Sequence, residues 1–269
     1  MLAASASLLN IPVAILDIGD SAPAKQVVSH SSSSKISHVD GSFTDPEKIT
    51  ALASQVDVLT VEIEHVDVSA LESLAKESKV AIHPSPSTIK VIQDKFIQKQ
   101  HLFARGCPIS PFMQVQSSQE GIAAAAQALG LPLMLKSRTL AYDGRGNYVL
   151  RGSTDSEISS AISALGNRPL YAEKWVPFTN EIAVMVVRSA TGETRSYPAV
   201  ETVHKDNICH LVFAPPRSKN ASSVSAKAQA VAEAAIKTFD GAGVFAVEMF
   251  LMENSRTVTY FLIVMLNYQ

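Results

Sequence analysis

Short apolar runs alternate with helix-like stretches through the first third of the chain. Successive strand-like and helix-like segments are residues 13–16, 49–55, 56–61, 70–77 and 80–82. This alternation is typical of α/β folds. The uninterrupted run VDVLTVEI favours a parallel sheet covered on both faces. We therefore predict an α/β domain over residues 1–90, which begins with the end of a helix in MLAASASLLN.

A second domain is predicted after the sequence HPSP. A helical pattern, with Ser85 or Ser87 as its cap, continues to about Ala104 and ends before Gly106. Beyond it, we predict strands and helices at residues 113–115 (strand), 120–129 (helix), 133–136 (strand), 148–150 (strand), 155–165 (helix), 170–217 (antiparallel strands), 224–239 (helix) and 244–250 (strand). These elements indicate mixed α and β structure.

Composition narrows the class of protein. The chain of 269 residues has 46% apolar content and a net charge of −2, so it can bury a large core but has no basic excess for nucleic acid or anionic membrane. No apolar run reaches the ~20 residues of a membrane span. Two cysteines are too few for a disulfide framework and favour a reduced, cytoplasmic setting, although one bridge stays open.

A strand-end lysine is followed by a glycine-rich loop. Lys136 closes an apolar strand, and Asp143-Gly144-Arg145-Gly146 begins seven residues later. Glycines let backbone amides approach phosphate oxygens, and a nearby cation suits a polyphosphate. Taken alone, these four residues are more typical of an ordinary hairpin turn, because Asp-Gly is a common turn dipeptide.

Several carboxylates lie in or beside apolar strands. Glu173 and Glu181 could contact ribose or adenine, or Glu173 could pair with its neighbour Lys174 in a strand with a solvent-facing edge. Glu248, within GVFAVEMF, is a candidate Mg²⁺ ligand. Glu62 and His65 follow a predicted parallel strand, where ligands bind in open sheets, or are solvated loop residues.

Two other classes of site have weak support. A zinc site at His204, Cys209 and His210 lacks a fourth ligand at suitable spacing. A nicotinamide-binding dehydrogenase would fit the α/β alternation, but no GxGxxG follows the first strand.

Taken together, ordered blocks resemble the ATP-grasp superfamily. They include HVDGSFTDPEKI, LTVEIEHV, HPSPSTIKVIQDKFIQKQHL, LPLMLKSRTLAYDGRGNYV, YAEKWVPFTNEIAVMVVR, YPAVETVHKDNICHLVFAPPR and GVFAVEMF. Within it, the chain is most similar to the fungal enzymes that carboxylate aminoimidazole ribonucleotide. The resemblance implies an ATP-grasp fold over residues 91–253, with a lid at about 107–168. It also implies an incomplete Rossmann-like pre-ATP-grasp domain over residues 1–90 and a divergent tail over residues 254–269.

The resemblance also implies roles for individual residues. The residues implied to bind ATP are Lys95, Lys136, Gly144, Gly146, Glu173, Lys174, Val176 and Glu181. Those implied to face aminoimidazole ribonucleotide are Glu62, His65, Tyr142, Asp143 and Arg145. Lys136, Asp143 and Arg145 are the implied catalytic residues, and Glu248 is the implied ligand of Mg²⁺, with Mn²⁺ as an alternative.

The implied activity is ATP-dependent carboxylation of 5-aminoimidazole ribonucleotide with bicarbonate in purine synthesis, by a ligase whose bifunctional fungal relatives are classed as carboxy-lyases. A homodimer is one implied state. The chain departs from the family pattern at both ends: the Gly-rich first turn is missing, and no Asp or Glu follows Glu253 to supply a second metal ligand. A catalytically impaired ATP-binding remnant, or another ATP-grasp carboxylase or amine ligase, therefore stays open.

Overall fold

The computed structural model of the chain describes residues 2–28, 36–140, 146–205, 208–218, 220–254 and 257–266, with side chains described as far as Met252. The chain divides into two compact units, Met1–Lys90 and Val91–Gln269. Within the described residues, no helix is both long and apolar enough to cross a membrane.

The first unit has short parallel strands and the predicted alternation. Its helices are α1 (Leu2–Leu8), α2 (Pro23–Gln26), α3 (Pro46–Ala53), α4 (Val68–Glu77) and, extending past Lys90, α5 (Pro86–Gln93). Its strands are β1 (Leu16–Asp17), β2 (Val39–Asp40), β3 (Val58–Thr60) and β4 (Ala81–His83). β1 pairs with β2 and β3 with β4, both in parallel. This confirms the α/β prediction and the helix at the N-terminus.

Coverage of β3 on both faces was wrongly predicted. Leu59 is buried, but the residues before and after it are exposed: Val58 is 55% exposed, and Thr60 is also exposed. Since alternate residues of a strand point to opposite faces, the face that carries Leu59 is packed and the face that carries Val58 and Thr60 is not.

The predicted continuous helix after HPSP is also wrong. It is two helices, α5 and α6 (Lys95–Phe103), separated by Asp94, whose backbone is extended (φ −103°, ψ 105°). The Asp94 carboxylate accepts hydrogen bonds from the amides of Phe96 and Ile97 at 3.0 and 3.2 Å. Because Asp satisfies the free amides of a helix start so well, the chain begins a new helix here.

The second unit contains the remaining elements. Its other helices are α7 (Gln119–Leu129), α8 (Asp155–Leu165) and α9 (Ala221–Ile236). Its strands are β5 (Phe112–Val115), β6 (Leu133–Ser137), β7 (Asn147–Leu150), β8 (Leu170–Lys174), β9 (Asn180–Arg188), β10 (Thr194–Ser196), β11 (Val200–Lys205), β12 (Ile208–Phe213), β13 (Gly243–Asn254) and β14 (Thr257–Leu266). The predicted strand and helix order of this unit is confirmed.

The smaller sheet of this unit is antiparallel, in the order β5-β8-β6-β7. One of its faces packs on α7 and α8 through buried residues that include Leu133, Leu135, Ile122 and Ile158. Alternation along a strand sends the side chains between these, such as Lys136, to the opposite face.

The larger sheet has the order β12-β11-β9-β13-β14, with β10 paired to β9. Apolar residues on one face of its central strands are almost fully buried; they are Ile182, Val184, Val186, Phe245, Val247, Met249 and Leu251. Residues 257–266 of the predicted divergent tail form strand β14, which pairs with β13 along ten residues. Glu181 and Glu248 alternate with the apolar set and therefore lie on the other face.

Candidate functional site

Lys95 is fixed at the start of α6 beside the end of β6. Its backbone amide donates to the carbonyl of Arg138 at 2.8 Å. The Arg138 guanidinium in turn binds the capping carboxylate of Asp94, with Nη2 and Oδ2 2.5 Å apart. This bidentate pair ties the first turn of α6 to the strand end that carries Lys136.

A buried carboxylate contacts two lysines on the face of the smaller sheet opposite α7 and α8. Glu173 of β8 is 5% exposed. Its Oε1 lies 3.3 Å from Lys136 Nζ, and its Oε2 lies 3.2 Å from Lys99 Nζ. The Ser110 hydroxyl donates to the same Oε2 at 3.2 Å. The partners of Glu173 are therefore two lysines distant in sequence, and not its neighbour Lys174, which is exposed.

The two lysines keep Glu173 ionised. Burial alone would raise the pKa of its carboxyl, but the charges of Lys136 and Lys99, with hydrogen bonds from Lys99 and Tyr171, lower that pKa to about 2. Burial also lowers the pKa of Lys99, although Glu173 opposes that change. The cluster thus places the side chains of two lysines around one buried, ionised carboxylate.

Glu181 and Glu248 lie close together on the face of the larger sheet opposite the buried apolar set. In the β9–β13 register, Glu248 is opposite Ala183 and Glu181 is opposite Phe250, so the two acids are diagonal neighbours on one face. His204 of β11 joins them, with its Nδ1 against Glu181 Oε2.

Electrostatics connect this acidic face to the lysines. Burial, the largest influence, raises the pKa of Glu248, and the charge of Glu181 acts in the same direction. The positive charges of His204, Lys95 and Lys136 oppose that rise. A carboxylate with a raised pKa beside a second acid is a favourable place for a further cation.

Glu248 and Glu181 fit the demands of Mg²⁺. This ion takes one or two protein carboxylates and completes its shell with water and phosphate oxygens. Among the described residues, no three His, Cys, Asp or Glu side chains are grouped to hold a metal by themselves. The zinc alternative at His204, Cys209 and His210 is therefore disfavoured, since such a site needs its ligands from the protein.

The connection between the two sheets contains the remaining predicted nucleotide residues. β8 ends at Lys174, which is exposed and whose amide donates to the Pro111 carbonyl at 2.9 Å. Val176 is 9% exposed, and its carbonyl accepts from the amide of Phe178. This short loop leads directly into Glu181 at the start of β9.

The glycine-rich loop is described only at its end. Gly146 has φ 88°, which favours glycine, and its carbonyl accepts from the amide of Ser137 at 2.7 Å. The other predicted residues of this loop, Tyr142, Asp143, Gly144 and Arg145, lie outside the described residues. In the first unit, Glu62 and His65 lie in the loop between β3 and α4, as predicted, with Glu62 exposed and His65 half-buried.

Sequence reasoning missed Lys99, Ser110 and the place of His204 beside Glu181. A signal for Lys99 was present, because it lies four residues after Lys95 and hence on the same face of α6. The contacts of Ser110 and His204 join residues 63 and 23 positions apart, for which the sequence has no local signal.

Comparison with known families identifies the class of protein. Residues 100–260 match the ATP-grasp domain, and residues 1–93 match the ribonucleotide synthetase preATP-grasp domain. The chain belongs to the ATP-grasp family.

Individual relatives narrow the comparison. The chain is 51% identical over 258 residues to phosphoribosylaminoimidazole carboxylase of Saccharomyces cerevisiae, covering 95% of this chain and 43% of that protein. It is 50% identical over 254 residues to the Ogataea methanolica protein of that name, covering 94% and 45%. The chain thus spans less than half the length of these curated relatives.

The chain is also similar to solved structures of ATP-grasp enzymes. Carboxyaminoimidazole ribonucleotide synthase of Aspergillus clavatus complexed with ATP superposes with a TM-score of 0.89 at 45% identity, covering 100% of this chain and 67% of that one. The Aspergillus clavatus enzyme in complex with ADP and 5-aminoimidazole ribonucleotide has a TM-score of 0.87 at 43% identity, covering 98% and 66%. The predicted fold class is confirmed: an ATP-grasp fold with a pre-ATP-grasp domain.

Proposed function

We propose that the chain carries out ATP-dependent carboxylation of 5-aminoimidazole ribonucleotide with bicarbonate, a step of purine synthesis. The observation that carries the proposal is the cluster in the second unit, where Lys136 pairs with the buried Glu173 and where Glu181 and Glu248 are diagonal neighbours on one face of the larger sheet. The charges of Lys95 and Lys136 lower the pKa of Glu248. Cations and oxygen ligands side by side match the needs of a metal-bound triphosphate. The names and ligands of the relatives support the choice of acceptor.

ATP is proposed to bind along the junction of the two sheets. Lys95 and Lys136 would neutralise phosphate oxygens, Gly144 and Gly146 would cover them, and Glu181 would accept hydrogen bonds from ribose hydroxyls. Adenine would rest against the loop formed by Glu173, Lys174 and Val176. Because the Glu173 side chain is already engaged by lysines and Ser110, its contact with adenine would come from the backbone.

Glu248 is proposed to hold Mg²⁺, or Mn²⁺ in its place. When bound, such an ion supplies positive charge to the transferring phosphoryl group. Glu181 lies near enough on the same sheet face to share this role or to orient water.

Five residues are the proposed contacts of aminoimidazole ribonucleotide: Glu62, His65, Tyr142, Asp143 and Arg145. Asp143 and Arg145 would orient the reacting amine and the carboxyl donor.

The reaction requires a mixed anhydride of phosphate and carbonate. A bicarbonate oxygen attacks the γ-phosphorus and ADP leaves. The acceptor amine then forms a bond to the carboxyl carbon, phosphate departs, and the nitrogen loses a proton. Lys136 and Lys95 would counter the negative charge that develops on the phosphoryl oxygens. Exclusion of water by the glycine-rich loop would protect the anhydride from hydrolysis.

A second candidate is a chain that binds ATP without turning it over. In the β13–β14 register, Glu248 lies opposite Ile263, and no Asp or Glu occurs from Asn254 onward. A metal held by fewer carboxylates would stabilise the transition state less. A different ATP-grasp acceptor is a third candidate, distinguished by competition among ribonucleotides.

The setting proposed with this function is cytoplasmic, which the free thiols of Cys107 and Cys209 support. A homodimer is proposed as the solution state, which sedimentation would test.

The proposal is tested in two steps with the purified chain. Calorimetric titration with ATP and Mg²⁺ measures nucleotide binding, and phosphate release is then measured with ATP and bicarbonate, with and without aminoimidazole ribonucleotide. Stimulation by the ribonucleotide supports carboxylation. Binding without stimulation favours the second candidate, and absence of binding removes both.

A further inference from the structure

We propose that Lys99 is a positioning residue for the nucleotide site: it keeps Glu173 paired, so that Lys136 is free to turn to a triphosphate. This inference rests on the proposed function. Lys99 lies outside the predicted set of ATP-binding residues, and at 2% exposure it is too enclosed to contact a nucleotide itself.

The surroundings of Lys99 show that its charge has a specific partner. Its Nζ lies 3.2 Å from Glu173 Oε2 and donates to Ser110 Oγ at 3.4 Å. The ring of Phe112 lies 6.0 Å away. A lysine is almost never this deeply buried unless it is paired, because removing an ammonium group from water is costly.

The two oxygens of the Glu173 carboxylate have different partners. Oε2 receives Lys99 and the Ser110 hydroxyl, whereas Oε1 faces Lys136 at 3.3 Å without hydrogen-bond geometry in the described residues. The Lys136 side chain is 14% exposed, compared with 3% for Lys99. Lys136 is therefore the more weakly held and more accessible of the two cations.

The role proposed for Lys99 follows from the number of cations beside the Glu173 carboxylate. With two ammonium groups on one carboxylate, Lys136 can leave Glu173 for a phosphate oxygen while Lys99 still neutralises the buried acid. Without Lys99, departure of Lys136 would leave that carboxylate with only the uncharged hydroxyl donors of Ser110 and Tyr171. An unpaired buried charge is strongly unfavourable, so Lys136 would stay with Glu173 and the triphosphate would bind less well.

Lys99→Met tests this in the full chain, with the dissociation constant of Mg²⁺-ATP measured by calorimetry. Loss of a charged hydrogen-bonding partner predicts binding weaker by about 10- to 100-fold. Lys99→Arg should restore much of the affinity. Lys25→Met is the matched control, because Lys25 is another buried lysine, 7% exposed, but it lies in the first unit. It donates to the Asp17 and Gly19 carbonyls and pairs with Asp40 at 3.6 Å, and it has no contact with Glu173 among the described residues.

Two double variants separate positioning from a purely structural role. In Lys99→Met with Glu173→Gln, Lys136 has no carboxylate to leave, so affinity should recover toward the wild-type value. In a Lys136→Met background, Lys99→Met should change affinity less than twofold, because the residue through which it acts is gone. If Lys99→Met does not fold, Ser110→Ala, which removes one donor from Oε2, should weaken binding about fivefold.

The outcomes distinguish the two proposals. Wild-type protein that binds no Mg²⁺-ATP overturns the proposed function. Wild-type binding with unchanged affinity in Lys99→Met, or with equal losses in the presence and absence of Lys136, overturns only the positioning role.

Discussion

The paired carboxyl of Glu173 should make the stability of the second unit depend on acid pH. Its pKa is about 2 in the folded chain, against an ordinary value of 4.5. Because the folded pKa is the lower one, its stabilising contribution is complete above the unfolded pKa and is lost as pH falls through the folded pKa. The difference between the folded and unfolded pKa values of Glu173 corresponds to roughly 3 kcal/mol of unfolding free energy. Roughly 2 kcal/mol of this contribution would be lost between pH 5 and pH 3.

The perturbation is Glu173→Gln combined with Lys99→Met, which removes the acid and one of its two cations together. Urea unfolding of the wild type and of this variant is measured at intervals from pH 5 to pH 3, and the two free energies are subtracted at each pH. Subtraction cancels the titration of groups that both proteins share, including Asp40 and Glu201, whose pKa values are also lowered. The wild type should lose about 2 kcal/mol more than the variant over this range.

Parallel curves for the two proteins would refute the reasoning, since they would mean that Glu173 has the same pKa in the folded and unfolded chains. A difference that grew as the pH fell would contradict the sign of the linkage. Either result would remove the ionised, doubly paired carboxylate on which the positioning role of Lys99 depends.

Three further predictions concern other contacts of the second unit. Burial lowers the pKa of His101, which lies 3.0 Å from Thr238 Oγ1, so stability should fall as the pH drops below about 6.5, and His101→Gln should flatten that decline in thermal unfolding. Asp94→Ala removes the cap of α6 and the partner of Arg138; urea unfolding should show a loss of at least about 1 kcal/mol, and a loss near zero would contradict the capping role. Glu248→Gln should weaken ATP binding with Mg²⁺ present and leave binding without Mg²⁺ little changed; equal effects in both titrations would exclude a metal-ligand role.

Local sequence patterns predicted most of the elements. The helix over Asp155–Leu165 and the strands around Lys136 and Glu248 were predictable because apolar periodicity follows directly from which face of an element is buried. The break at Asp94 was not predicted, although Asp is a favoured cap, since periodicity continues across it while the backbone turns. The failure at β3 has another origin: an apolar run specifies a strand but not how many of its faces are packed.

The sequence by itself determined the α/β alternation, the candidate phosphate cation Lys136 and the unusual acid Glu248, because each depends on residue type and short-range spacing. The role expected for Lys95 came from the resemblance to the ATP-grasp family. The tertiary structure decided that Glu173 pairs with both Lys99 and Lys136. It also placed Glu181 and Glu248 on one sheet face, with His204 beside Glu181. Strand register and helix docking set these distances. The charges that meet are separated by tens of residues along the chain, and the environment that shifts their pKa values exists only after the two sheets and α6 have packed.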